Sequence, residues 1–316
     1  MIKQLFLSVL TLFVFIGCTA QPTENDLTRA GVKGKVKSIK ITYYKAIEKF
    51  GEVTKGDLSI VNTIDETIYD KKGNAIEYNW YDSLGGELLV KFIYKHDENG
   101  NRIEENAYDE NGELLGKSLY KYDNNGNKIE EISHNADGEL IDKTTTKYDE
   151  KGNKIEEIDY DGNGKLVRKS LYKYDNNGNK IEENVYDENG ELLGKSLYKY
   201  DKNGNNIKKN YYDRRDPYSV KLLPETKALE HIYTYKYDEN GNQIEFNSYE
   251  KNGEFRLKCT YKYDEKGNLI EANTLYNSGE TASNKYKYDN KGNWIETIEY
   301  KNNIPQKIIE QNIEYY

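Results

Sequence analysis

From Leu114 to Tyr122 the chain alternates two sets of side chains. Leu114, Gly116, Ser118, Tyr120 and Tyr122 fall on one side, and Leu115, Lys117, Leu119 and Lys121 on the other. Period two is the signature of an extended strand. The return segment puts Ile129 and Glu131 on one side and Lys128, Glu130 and Ile132 on the other. Neither side is cleanly apolar. This disfavours a sandwich with a dry interior. It also excludes an outer-membrane barrel, whose lipid-facing side must be apolar.

The same phrase recurs along the chain. YKYDNNGNKIE starts at Tyr120 and again at Tyr172, with variants YKYDEKGNLIE at Tyr261 and YKYDNKGNWIE at Tyr286. The phase is kept by Asp70, Asp97, Asp123, Asp149, Asp175, Asp201, Asp238, Asp264 and Asp289, at gaps of 27, 26, 26, 26, 26, 37, 26 and 25 residues. A fixed period of this size marks a repeat architecture. Asp followed three residues later by Gly reads as a hairpin tip, because Asp bonds the backbone ahead of it and Gly takes the left-handed conformation. A second tip sits midway, as in YDENGEL at Tyr108 and HNADGEL at His134. Each unit is therefore two strands and two turns. Nine units give about eighteen strands, and 36–46 and 58–69 add two more.

The predicted fold is all-β: an antiparallel meander of about 20 strands forming an extended twisted or coiled sheet, with an open shell as its most wound form. Tyr-x-Tyr-Asp-x-x-Gly-Asn-x-Ile/Leu resembles the YD repeat of the RHS family over roughly residues 69–315, which implies sheets that wind into hollow shells. The period of 26 is longer than that family's usual spacing, and the chain ends in repeat-like sequence, so toxin delivery is not implied.

Composition agrees with exposed sheet. Hydrophobic residues are 36% and charged residues 32%, and mean hydropathy is −0.98. The 31 Tyr argue against disorder. The net charge of −9, with Lys and Glu interspersed, argues against a nucleic-acid partner.

The N-terminus predicts a targeting segment. Lys3 precedes an apolar run from Leu5 to Ile16, too short to span a bilayer. Phe15-Ile16-Gly17-Cys18 resembles a bacterial lipobox, which implies cleavage before Cys18 and lipidation of Cys18. The combination with the repeats resembles lipoproteins of Bacteroidota-type bacteria. The expected organisation is a signal peptide at 1–17, a lipidated tether at 18–32, N-terminal strands at 33–69 and the repeat domain at 70–316, with an insertion at 213–232. The expected location is the outer membrane, with the lipid anchor as membrane partner.

Candidate chemistry is sparse. The doublets Glu104-Glu105, Glu130-Glu131, Glu156-Glu157 and Glu182-Glu183 point to opposite faces and recur along the array, so they read as a charge ladder and not as a glycosidase pair. The tips lack the ligand spacing of a calcium loop, and His96, His134 and His231 show no metal-ligand spacing. No cofactor is expected. Cys259 occupies a position held by Ser118, Ser170 and Ser196 and reads as a small strand residue. The remaining lead is two Tyr columns, represented by Tyr120, Tyr172, Tyr198 and Tyr261 and by Tyr122, Tyr174, Tyr200 and Tyr263. An exposed Tyr row can stack on sugar rings or on a partner protein. Arg214 and Arg215 in the insertion form a second candidate contact. The function expected is a non-catalytic scaffold or binding surface for protein or glycan; a carbohydrate-active or glycan-uptake accessory enzyme is the alternative.

Overall fold

The computed structural model describes residues 25–59, 64–82, 86–214 and 229–316. The signal segment, Cys18, Arg215 and most of the insertion lie outside the described residues. A short helix α1 (Asp26–Arg29) precedes the strands β1 (Val36–Lys49), β2 (Glu52–Leu58), β3 (Ile64–Tyr69), β4 (Ala75–Tyr81), β5 (Leu88–His96) and β6 (Arg102–Asp109). Then come β7 (Leu114–Tyr122), β8 (Lys128–Asn135), β9 (Leu140–Tyr148), β10 (Lys154–Asp161), β11 (Leu166–Tyr174), β12 (Lys180–Asp187), β13 (Leu192–Tyr200) and β14 (Asn206–Asp213). The series ends with β15 (Leu229–Tyr237), β16 (Gln243–Glu250), β17 (Phe255–Tyr263), β18 (Leu269–Tyr276), β19 (Thr281–Tyr288), β20 (Trp294–Lys301) and β21 (Ile304–Tyr315). The segment 58–69, expected as one strand, instead ends β2 at Leu58 and starts β3 at Ile64.

The tips follow from local chemistry. At Asp123 the Oδ1 atom accepts from the backbone N–H of Asn125 and of Asn127, each at 2.9 Å. Its Oδ2 accepts from Asn127 Nδ2 at 2.9 Å. Gly126 then adopts φ 83°, where a side chain would be strained. Several midway tips use the same Asp pattern, as at Asp109, whose Oδ1 takes the N–H groups of Asn111 and Glu113, and at another Asn135 takes the place of Asp.

The sheet closes, which corrects the expectation of an open or merely coiled sheet. From β3 to β21 each strand pairs antiparallel with the next. β1 then pairs with β21 on one side, from Val36↔Tyr315 to Lys45↔Lys307, and with β3 on the other, from Ser38↔Ile68 to Ile41↔Asp65. The result is a closed barrel of 20 strands with β2 as an extra strand, a hairpin partner that extends β1 past the rim. Following paired residues once around the ring returns to β1 displaced by about 20 residues. With strand number and shear this similar, the strands tilt by about 35°, and a circular section is about 36 Å across between backbones.

The two faces differ. One carries the Tyr columns, and α1 packs against it at the rim of the Asp-x-x-Gly-Asn tips, where Leu27, Val36, Ile39, Tyr69 and Ala75 are buried together. This is the concave, inner face. Residues 26–29, expected as tether, are thus docked: Asn25 caps the helix, Leu27 N–H donates to Gly73 O, and Asp26 accepts from Ala75 N–H. The outer face carries a belt of ion pairs. Glu130 sits between Lys121 (2.5 Å) and Lys143 (2.6 Å), Glu156 between Lys147 (2.6 Å) and Lys169 (2.7 Å), and Glu245 between Lys236 (2.8 Å) and Lys258 (2.7 Å). Among the described residues, no helix is long and apolar enough to cross a membrane.

The inner wall as candidate functional site

All eight Tyr singled out in the sequence lie on the inner wall, and the two columns do different work. In the second column each hydroxyl reaches back over the preceding hairpin to a backbone carbonyl. Tyr122 donates to Arg102 O (2.8 Å), Tyr174 to Lys154 O (2.8 Å), Tyr200 to Lys180 O (2.7 Å) and Tyr263 to Gln243 O (2.8 Å). These carbonyls lie where the strand leaves its tip and the ladder is irregular. The hydroxyls complete a bond that the backbone cannot make there. This column belongs to the frame.

The first column lines the bore. Between β5 and β13 its rings alternate with basic side chains. Arg102 lies over Tyr94 at 3.7 Å, Lys128 over Tyr120 at 5.3 Å, Lys154 over Tyr172 at 4.9 Å, and Lys180 over Tyr198 at 4.9 Å. Each base also holds an acid three residues on: Arg102–Glu105 at 3.2 Å, Lys128–Glu131 at 2.6 Å, Lys154–Glu157 at 2.8 Å and Lys180–Glu183 at 2.9 Å. Strict alternation had put Lys128 and Glu131 on opposite faces. A register shift between Lys121 and Tyr122 pairs Tyr122 with Lys128 and Tyr120 with Glu131, which brings both inward. Burial pushes the hydroxyls of Tyr120 and Tyr198 well above their usual range, with Glu105 and Glu183 adding to it. Tyr198 donates to Glu183 at 2.9 Å.

From β14 onward the same positions change character. Asn206, Gln243, Leu269 and Trp294 stand where the bases stood, and Lys209, Phe246, Ala272 and Thr297 where the acids stood. Ring contacts dominate: Tyr233–Phe246 at 5.8 Å and 15° and Tyr211–His231 at 6.5 Å and 15° are stacked, and Tyr235–Phe246 at 5.3 Å is tilted. Tyr261 and Cys259 also face inward, and Cys259 Sγ meets Thr274 Oγ1 at 3.3 Å. A third inner cluster was not anticipated: Trp80 meets Tyr78 and Phe92 edge to face beside the closure, Tyr78 and Phe92 are tilted on each other, and the centroids are 5.8–5.9 Å apart. Aromatic residues two apart in β4 were its one sequence cue.

Other predicted residues are accounted for more simply. His96, in a Tyr position, meets Asp26 Oδ2 at 3.2 Å and so fastens α1. Arg214 donates to Leu192 O at 3.1 Å, tying the start of the insertion to the wall. The insertion is also shorter than expected, since Asp213 ends β14 and β15 begins at Leu229.

No protein-family model matches the chain, and comparison with curated proteins finds no match. Among solved structures, the chain is similar to TcdB2-TccC3 without its hypervariable C-terminal region (TM-score 0.37, 14% identity), covering 84% of this chain and 15% of that one. The chain thus spans less than a sixth of that molecule. It is also similar to porin-like proteins of Bacteroides uniformis (TM-score 0.37, 10% identity, 88% and 98% covered) and Bacteroides vulgatus (TM-score 0.29, 12% identity, 90% and 99% covered). Identities and scores this low say nothing of activity.

Proposed function

We propose that this is a lipid-anchored protein of a bacterial envelope whose barrel is a non-catalytic scaffold, with the inner wall as its binding surface for glycan or an extended protein segment. The observation that carries this reading is the division of labour between the Tyr columns. Hydroxyls of the second column are spent on the backbone, whereas rings of the first column line a bore wide enough for an extended polymer. Allowing roughly 6 Å of side chain on each side, the clear bore is about 20–25 Å. The acids of β6–β13 are each held by a base, which suits a charged lining better than general acid–base work. The Lys–Glu–Lys belt places charge where a lipid-facing wall needs an apolar band, so the barrel sits beside the membrane, held through Cys18.

The test uses full-length protein in detergent, screened on a glycan array and by pulldown from envelope extract. Combined Tyr120→Ala, Tyr172→Ala and Tyr198→Ala should abolish the hits, while Tyr174→Phe should keep them. Hits that survive the triple change would overturn the inner-wall reading. Fatty-acid labelling that persists in Cys18→Ala would overturn the anchor.

A further inference from the structure

The inner wall changes its pattern at β14, and there alone among these positions the acid is replaced by a base. Four successive hairpins place an acid opposite the first-column position: Glu105 faces Tyr94, Glu131 faces Tyr120, Glu157 faces Thr146 and Glu183 faces Tyr172. The fifth places Lys209 there, directly across from Tyr198 on β13 and Tyr233 on β15. The base that would normally sit three residues earlier is Asn206, so KIEE becomes NIKK: the base is replaced by a neutral amide and both acids by bases. Lys209 Nζ lies 5.3 Å from the Tyr198 ring and 5.6 Å from the Tyr211 ring. Among the described residues it has no carboxylate within ion-pair distance; Glu183, the acid that acts on it, is held by Lys180 at 2.9 Å. Burial lowers the Lys209 pKa, and Lys180 lowers it further against the pull of Glu183. A half-buried ammonium left without its own counter-charge is costly unless something else supplies one.

What surrounds it is flat and aromatic. Tyr211 stacks on His231, and Tyr233 stacks on Phe246, so parallel ring pairs lie on the wall beside the ammonium. We propose that Lys209, with Tyr198, Tyr211, Tyr233, His231 and Phe246, forms a subsite for an anionic saccharide chain, the rings stacking on sugar faces and Lys209 taking the carboxylate or sulfate. The occupant is an extended polymer, because a bore of about 20–25 Å admits one and the rings and Lys209 lie side by side on neighbouring strands of its wall. The other inner bases of β6–β12 are taken up by acids, so among the described residues this wall offers one free positive charge and no basic track for a densely charged chain such as nucleic acid, while a sugar polymer with spaced charges places one group at Lys209. This inference rests on the inner wall being the binding surface.

The probe is polygalacturonate, measured by titration calorimetry against full-length protein in detergent, with its carboxyl-reduced neutral form, polyglutamate and a dT20 oligonucleotide as comparison arms. Polygalacturonate should bind, and the neutral polymer should bind at least about tenfold more weakly. Lys209→Glu should weaken polygalacturonate by about tenfold or more, and Lys209→Arg should restore most of it. The paired change Tyr211→Ala and Phe246→Ala should also weaken it, whereas Gln306→Ala on the far rim should not. Thermal melts confirm that each variant folds. Equal binding by Lys209→Glu, or tighter binding of polyglutamate or dT20, overturns the proposal. If the acidic polymer ignores Lys209 but is lost with Tyr120→Ala and Tyr172→Ala, the inner-wall reading stands and this subsite falls. If no polymer binds and the array is blank, both fall.

Discussion

The wall from β6 to β13 and the wall from β14 to β18 share one backbone plan and carry different chemistry. Both have the Asp-closed tips: Asp175 accepts from Asn177 and Asn179 in one, Asp264 from Lys266 and Asn268 in the other, all at 2.8–2.9 Å. Both have the framing tyrosines, with Tyr174 and Tyr263 each 2.8 Å from a carbonyl. Inside, however, the first wall is an interlocked run of bases, acids and rings, and the second is mostly neutral rings and small residues. The repeat holds its tips and framing bonds constant while the inward positions vary. Side chains that the frame does not need are free to set what the bore recognises.

The largest expected difference between the walls follows from Arg102. It lies 3.7 Å from the centre of the Tyr94 ring, pairs with Glu105, and reaches Asp26 at 3.7 Å. Arg102→Ala leaves Asp26 poorly compensated and should destabilise the barrel by about 3 kcal/mol. The equivalent Gln243→Ala should stay within about 0.5 kcal/mol. Urea midpoints measure both. Similar shifts for the two would mean that the inner charges contribute nothing beyond the frame.

Acid should separate the walls next. Glu182 is held down to about 2 by Asn184, Lys173 and Lys195, against burial. Glu183 is raised by burial but lowered more by Lys180 and Tyr198, with a net downward direction. A carboxylate whose folded pKa is depressed stabilises the fold fully above its unfolded value, here 4.5, and loses that contribution as pH falls toward the folded one. β12 carries both acids, whereas β18 carries Glu271 alone, which Asn273 and Lys262 hold low. Amide exchange between pH 5 and pH 2 should therefore accelerate in β12–β13 at a higher pH than in β17–β18. Simultaneous opening would show that the barrel yields as one unit.

Much of the frame was legible in the sequence. Asp-x-x-Gly at constant phase places the tips, and the 13-residue half period sets the strand length. Closure was not legible. It depends on β1, which lies outside the repeat, being long enough to pair with β3, β21 and β2 at once, and on shear that accumulates over every hairpin. The inward pairing of Lys128 with Glu131 was hidden by the register shift beside the tip, because alternation fails wherever a residue is added to one strand. The role of the second Tyr column needed that same register, since its acceptor lies 20 residues earlier. The docking of α1 had a cue in Asn25, a good N-cap before Asp26-Leu27-Thr28, but nothing local pointed to Gly73 and His96 as its seat.

The smallest expected effects resolve the columns one hydroxyl at a time. Tyr174→Phe and Tyr263→Phe each remove a bond to a carbonyl, so both should cost about 1 kcal/mol in their respective walls. The first column should behave unequally. Tyr198→Phe removes the bond to Glu183, and a charged acceptor makes that worth at least as much. Tyr235→Phe touches a ring packed at 5.3 Å on Phe246, with no hydroxyl partner among the described residues, and should be nearly neutral. Four urea midpoints therefore form a test of the division itself. Equal values for the framing pair and unequal values for the lining pair support it. A large loss at Tyr235→Phe would mean that the neutral wall also uses its hydroxyls for structure, and the distinction between frame and lining would fail there.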